Sequence, residues 1–361
     1  MSGRRILTLP CGASVLSSIL LLVAPAVFQG ASEYHLIRNI LLGGAGGWDY
    51  VTVDPDAKRV YVPRTEDIQV VDEVSGKIIG DITGMKGLHG VAVAPGLGRG
   101  FATGNDPDAV IYLLDLKALK VTGKLTPAGA KGSDSLYYDA VTKRAFINTA
   151  ASNNAQVVDA ASGQIVGTVV FPGRPEAAVS DGKGNMFVNI VDKDQVVEYD
   201  AKTFAIKNAW SSAPCTRGYG IAMDRVHRRL FLACQPNSTS GVFVVMNADT
   251  GAVVASMPIG IGSDGAAFDP ATGDAFATCR DSGDGKNGAT YIFHEDAPDK
   301  YSKVAEVPTI YGARTIALDP KTHHIFSIAT EQNEPVPPTP ANPNPRPRPV
   351  PSSFMFVEIG K

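Results

Sequence analysis

Short runs of alternating apolar and polar residues follow one another along most of the chain, separated by clusters of Gly, Pro, Asp, Asn and Ser. An alternation of period two marks a β-strand, and the separating clusters supply turns. Residues 49–82 show the arrangement in full: DYVTVD (49–54), RVYVP (59–63), IQVVD (68–72) and KIIGDI (77–82) predict four strands. Phrases such as DEVSG (72–76), DAASG (159–163) and NADTG (247–251) join a third strand to a fourth. The leading Asp or Asn bonds the backbone ahead of it and the closing Gly takes a positive φ, so each phrase predicts a hairpin.

The first hairpin of this unit returns seven times, at residues 48–62, 89–103, 134–148, 175–189, 219–233, 264–278 and 314–328. Aligned on the turn, Asp54, Ala94, Asp139, Ser180, Asp224, Asp269 and Asp319 occupy one equivalent position, with successive gaps of 40, 45, 41, 44, 45 and 50 residues. A period in the forties with several short strands per repeat is that of a β-propeller blade. The expected fold is all-β: a seven-bladed β-propeller of four-stranded blades, forming a single domain over residues 32–361. Its ends carry the closure. YHLIRNILLG (34–43) reads as a fourth strand with no preceding three, and SFMFVEIGK (353–361) as a third strand with no fourth. Pairing them completes the last blade and removes the open edges.

Two segments depart from this pattern. Residues 1–31 carry Arg4 and Arg5, an apolar run over 14–28 and the small-residue site Ala24-Pro25-Ala26, with no acid before Glu33. That order predicts a secretory signal peptide, removed on export to the periplasm or the medium. No later stretch is long and apolar enough to span a bilayer as a helix. Residues 331–353 are dense in Pro and poor in apolar side chains, which predicts an extended, mobile surface loop.

Composition adds less. The chain of 361 residues is 44% hydrophobic and 19% charged. Removing the leader leaves 31 basic against 36 acidic residues, a net charge of −5, so no basic excess draws nucleic acid or anionic lipid. The first-to-second-strand turns carry ten basic and eight acidic residues, a near balance that reads as a solvated face. Three cysteines remain after the leader: Cys215, Cys234 and Cys279. Cys215 precedes the first strand of blade five and Cys234 ends its second, so the hairpin brings them together. An oxidising compartment then permits a disulfide stabilising by roughly 3 kcal/mol. Cys279 is expected to be buried and unpaired.

The repeats resemble the YVTN repeat, in HGVAVAP (89–95), VTVDPDAKRVYV (51–62) and FDPATGDAFAT (268–278). Over residues 34–361 the chain is similar to YncE-like exported seven-bladed propellers, which implies a binding scaffold. A monomer with an unknown small ligand or protein partner is expected. The segment around Asp264-Gly265 also resembles the one that carries an essential Asp in metal-dependent gluconolactonases of the SMP type. There a metal polarises the lactone carbonyl. That likeness implies a metal-dependent hydrolase or lactonase as the alternative function, with Glu176 and Asp49 as further candidates.

Candidate chemistry lies five residues before the aligned turn position. Asp49, His89, Asp134, Tyr219, Asp264 and Arg314 begin innermost strands there, with Glu176 one residue displaced. These starts converge on one channel mouth and form the expected ligand-binding ring. No cofactor is required, but a divalent cation held by Asp49, His89, Glu176 and Asp264 suits this donor set. Propeller channels are wet, and Arg314 can equally pair with Asp264 or Asp49 without any ligand. No CxxCH, HExxH, GxSxG or P-loop motif occurs. His323 and His324 point apart if the chain is extended, so a shared metal is not expected there.

Overall fold

Every blade carries one large aromatic residue at the same place in its second strand: Tyr61, Phe101, Phe146, Phe187, Phe231, Phe276 and Phe326, all essentially inaccessible. Neighbouring positions alternate with them, so each sheet is apolar on both faces. In blade one, Val60, Val62 and Val71 pack against Phe326, Ile328 and Phe356 of blade seven. Tyr61, Ile68 and Val70 of the same sheet pack against Val91, Ala102 and Tyr112 of blade two. The core is therefore distributed between blades, and removing one of the aromatic rings costs about 3–5 kcal/mol.

The computed structural model describes residues 1, 3 and 33–361, less residues 45, 46, 48, 334–338 and 341–348. Residues 33–361 form one compact unit. Its strands make seven antiparallel four-stranded sheets, six of them built from consecutive strands. The seventh is the expected closure: Ala317–Asp319, His324–Ala329 and Met355–Gly360 are completed at the outer edge by His35–Leu41. His35 faces Gly360 and Leu41 faces Met355 in that register. Arg38 of the closing strand pairs with Glu358 and also donates to the backbone oxygens of Glu73 and Val74, reaching into blade one.

The third-to-fourth-strand hairpins form as the sequence predicts. Asp72 accepts from the Ser75 amide at 2.8 Å, and Gly76 closes the turn at φ 68°. Asp159 and Asn247 accept in the same way in their blades. Cys215 and Cys234 are disulfide-bonded with Cα atoms 5.3 Å apart, and Cys279 is free and buried.

Blade one's innermost strand is shorter than its sequence pattern, running only over Thr52–Asp54. Tyr50 leaves its own sheet and bridges in parallel to Gly90 of blade two. A Cβ at Gly90 would lie 3.4 Å from the Tyr50 Cβ and 2.6 Å from a Leu136 methyl, so the glycine leaves room for both neighbours. The expected signal peptide lies outside the described residues, apart from residues 1 and 3. Most of the Pro-rich segment lies outside them too. Its base is held by a Gln332–Pro349 bridge and by Val350 donating to Glu331 at 2.8 Å. Among the described residues no helix is long and apolar enough to cross a membrane.

Candidate functional site at the channel mouth

The starts of the innermost strands are tied to one another around the ring by the backbone. Tyr50 donates its amide to His89 at 3.0 Å, and Asp264 donates its amide to Arg314 at 3.1 Å. Thr315 donates its hydroxyl to the Asp49 carbonyl at 2.8 Å, and Ser135 donates to the Glu176 carbonyl at 2.7 Å. Each bond joins neighbouring blades, so the side chains at these positions are held at fixed separations.

Those side chains form a chain of charge. His89 Nδ1 lies 3.0 Å from Asp49 and 3.5 Å from Asp134. Arg314 pairs with Asp264 at 2.9 Å and lies 3.9 Å from Asp49. Arg174 reaches Glu176 at 3.3 Å and Asp134 at 3.9 Å, while Tyr50 donates its hydroxyl to Glu176. Six of the seven expected ring residues are thus brought together. Tyr219 is engaged elsewhere, accepting a hydrogen bond from Arg217 at 2.8 Å. Tyr50 and Arg174 are members that the strand-start alignment passed over. A signal for both was present, because each adjoins an aligned position.

The electrostatics follow from crowding. Burial, then the neighbouring Asp49, raises Asp134 above the usual carboxylate range. Burial and Asp134 raise Glu176. Asp264 is pushed up to about 6, by burial first, against the opposing pull of Arg314. His89 is raised chiefly by its hydrogen bond to Asp49. Burial and Glu176 hold the Tyr50 hydroxyl protonated far above its ordinary range. Carboxylates placed this close resist ionising together unless a cation joins them.

Asp49, His89 and Asp134 present ligand atoms that all lie within 4.8 Å of one another. That set differs from the one expected for a cation, since Asp134 joins Asp49 and His89 while Glu176 and Asp264 stand to the side with Arg174 and Arg314. Two carboxylates and an imidazole fit a borderline divalent ion such as manganese or zinc.

Beneath the mouth the channel is walled by many apolar side chains. Two cavities of about 150 and 610 Å³ share Val51, Val91, Leu136, Ala178, Ile221 and Ala266 as walls, so they form one bore. The upper part reaches Tyr50 and Asp264, and the lower part ends at Pro270, Pro320 and Arg225. Inner-strand side chains that pack between blades, Val53 and Val93 among them, also border this bore.

At the opposite end the expectation of a solvated charged face is corrected. Asp54, Asp139, Asp224, Asp269 and Asp319 are all buried. Backbone amides of the turns and side chains of other blades take up oxygens of this set. Ser180 of blade four bonds Asp139 of blade three at 2.8 Å, and His323 of blade seven bonds Asp269 of blade six at 2.7 Å. His324 turns the other way, to Glu358 at 2.7 Å. A second group with metal-ligand spacing, Asp224, His227 and Glu295, belongs to this fastening. Asp224 already accepts the Val226 and His227 amides at 2.8 and 2.9 Å. A column of arginines is engaged as well. Arg59, Arg99, Arg144 and Arg229 donate to backbone oxygens of Leu116, Ala160, Ala201 and Pro298, each in the following blade.

No family model matches the chain, and no curated protein matches it. Solved structures do share its fold. U3-55K superposes with a TM-score of 0.72 at 9% identity, covering 89% of this chain and 97% of that one. The RRP9 WD40 repeats give 0.70 at 10% identity, covering 90% and 97%. Hydrazine synthase from Kuenenia stuttgartiensis gives 0.67 at 14% identity, covering 78% and 92%. At such identities the likeness is one of fold, a β-propeller with WD40-like neighbours.

Proposed function

We propose that the chain is an exported binding scaffold that seats a cation at its channel mouth, with Asp49, His89 and Asp134 as the ligands. The observation that carries this reading is the convergence of those three ligand atoms within 4.8 Å. Burial-raised carboxylates support it, because a cation that lets them ionise gains what the apo protein forgoes. The propeller fold suits a scaffold role, and the YVTN-like repeats suit a YncE-like exported protein. Export is supported by the leader pattern and by the Cys215–Cys234 disulfide.

The test is a melting series with calcium, manganese and zinc. Manganese or zinc is expected to raise the wild-type midpoint, since binding to the folded state alone stabilises it. Asp134→Asn should abolish that rise and leave the apo midpoint close to wild type. An unshifted wild-type midpoint with all three ions sinks the cation reading.

A second reading has one observation in its favour. Glu176 is held protonated beside Tyr50, next to the group that would hold the metal, as a general acid requires. This metal-dependent hydrolase or lactonase predicts ester or lactone turnover that chelation removes. Purified protein without such turnover, with or without metal, excludes it.

A further inference from the structure

The bore below the mouth has the size and chemistry of a ligand site. Its lower cavity of about 610 Å³ falls within the range of small-molecule pockets. Its walls come from the innermost strands, with Val93, Met223 and Phe268 adding to the shared apolar lining. The apolar side chains of this lining offer contact surface to an apolar guest. Asp49, Asp134, Glu176 and Asp264 crowd the mouth, whereas at the far end Asp224 and Arg225 line the cavity together, Arg225 donating to the Ser180 carbonyl and the Tyr137 hydroxyl.

We propose that the channel binds an amphiphilic primary amine, its ammonium seated among the mouth carboxylates and its unbranched apolar body lying in the bore. This rests on the cation reading of the mouth and names the ligand class. Asp49, Asp134, Glu176 and Asp264 gather there beside Arg174, Arg314 and His89, and their oxygens are acceptors for an ammonium. The body fills the cavity that continues directly from Tyr50 and Asp264, which line its upper part. A metal ion and the ammonium compete for the same carboxylates.

The experiment measures binding of methylamine, hexylamine and octylamine by calorimetry, with octanol and octanoate as controls. Each methylene buried tightens binding by about fourfold, so octylamine should bind roughly fifteenfold tighter than hexylamine. Octanol and octanoate should bind at least about tenfold more weakly than octylamine. Ala266→Leu and Ala178→Leu fill the bore from blades six and four. Each should weaken octylamine by about tenfold or more while retaining the manganese or zinc shift in melting midpoint. The inference is overturned if octylamine binds no tighter than methylamine, or if both filled variants bind it as wild type does. A metal-ion shift without chain-length dependence defeats this inference alone. If neither metal ions nor amines bind the wild type, the cation reading fails and the inference falls with it.

Discussion

The two ends of the channel carry carboxylates of the same kinds, yet these behave oppositely. At the turn end, Asp139 and Asp269 are buried but surrounded by donors: turn amides, Ser180 and His323. At the mouth, Asp134, Glu176 and Asp264 are raised by burial and by neighbouring carboxylates. The outer hairpins mark the other extreme, where Ser75 and Ser162 donors hold Asp72 and Asp159 below the usual range. At the mouth burial and crowding do the raising, whereas at the turn end the carboxylates are taken up by turn amides and neighbouring blades. Carboxylates with their donors in place fasten blades together. Those crowded against one another at the channel mouth are placed where a ligand can reach them.

This contrast is broken most directly by removing a carboxylate from each end. Asp269→Ala strands His323 and the turn amides, and should cost about 2–4 kcal/mol. Glu176→Gln at the mouth relieves repulsion and should leave the apo protein within about 1 kcal/mol of wild type at neutral pH. Chemical denaturation of the two variants checks both. Equal losses would erase the distinction between the ends.

The pH dependence sharpens it. Asp264 moves from 3.8 to about 6 on folding, so across that window the folded chain binds more protons than the unfolded one. Stability contributed by this group is therefore present below the window and lost as pH rises through it. At about 1.4 kcal/mol per unit, the loss is about 2 kcal/mol after discounting for the part of the side chain that solvent reaches. Asp264→Asn should flatten the fall in midpoint across that window relative to wild type. A variant with an unchanged slope contradicts the assignment.

The smallest effect concerns the arginine clamps. Arg99→Met removes one charged donor to the Ala160 carbonyl and keeps the apolar stem, so it should cost about 1 kcal/mol without affecting ligand binding at the mouth. Denaturation midpoints and metal titration of the same variant give both readings. A loss of metal binding would mean that the two ends are coupled through blade two.

How much of this was legible in the sequence follows from the same physics. The blade period, the aromatic at each second strand and the unmatched strands at the two ends are local patterns. Each survives into the structure. The ring of strand starts was legible too, because equal spacing from the turn places equivalent residues at one height. Tyr219 fails that rule, since its side chain meets Arg217 instead. The fastening role of Asp139 and Asp269 was hidden because their partners, Ser180 and His323, lie 41 and 54 residues away. An aspartate in a turn looks like surface until its neighbour blade is placed. The repeated Arg at 59, 99, 144 and 229 was visible as a column of charge, but its acceptors are backbone oxygens and leave no mark on the sequence. The apolar bore was missed for a related reason. Val53 and Val93 read as residues packed between blades, which they are, and that they also border the channel shows only once the ring is assembled.

The closing strand has a consequence in time. Arg38 and its partner Glu358 are 320 positions apart, so the chain makes the two halves of this contact at widely separated moments of its synthesis. Blades one to six can each form from consecutive strands, but the ring cannot be sealed until Met355–Gly360 has emerged to meet His35–Leu41. Until then both faces of the gap expose apolar side chains, and His35–Leu41 waits as an unpaired edge. Contacts of such long sequence separation form slowly. The interval between making the first strand and the last is therefore when this molecule is most open to aggregation or to a chaperone.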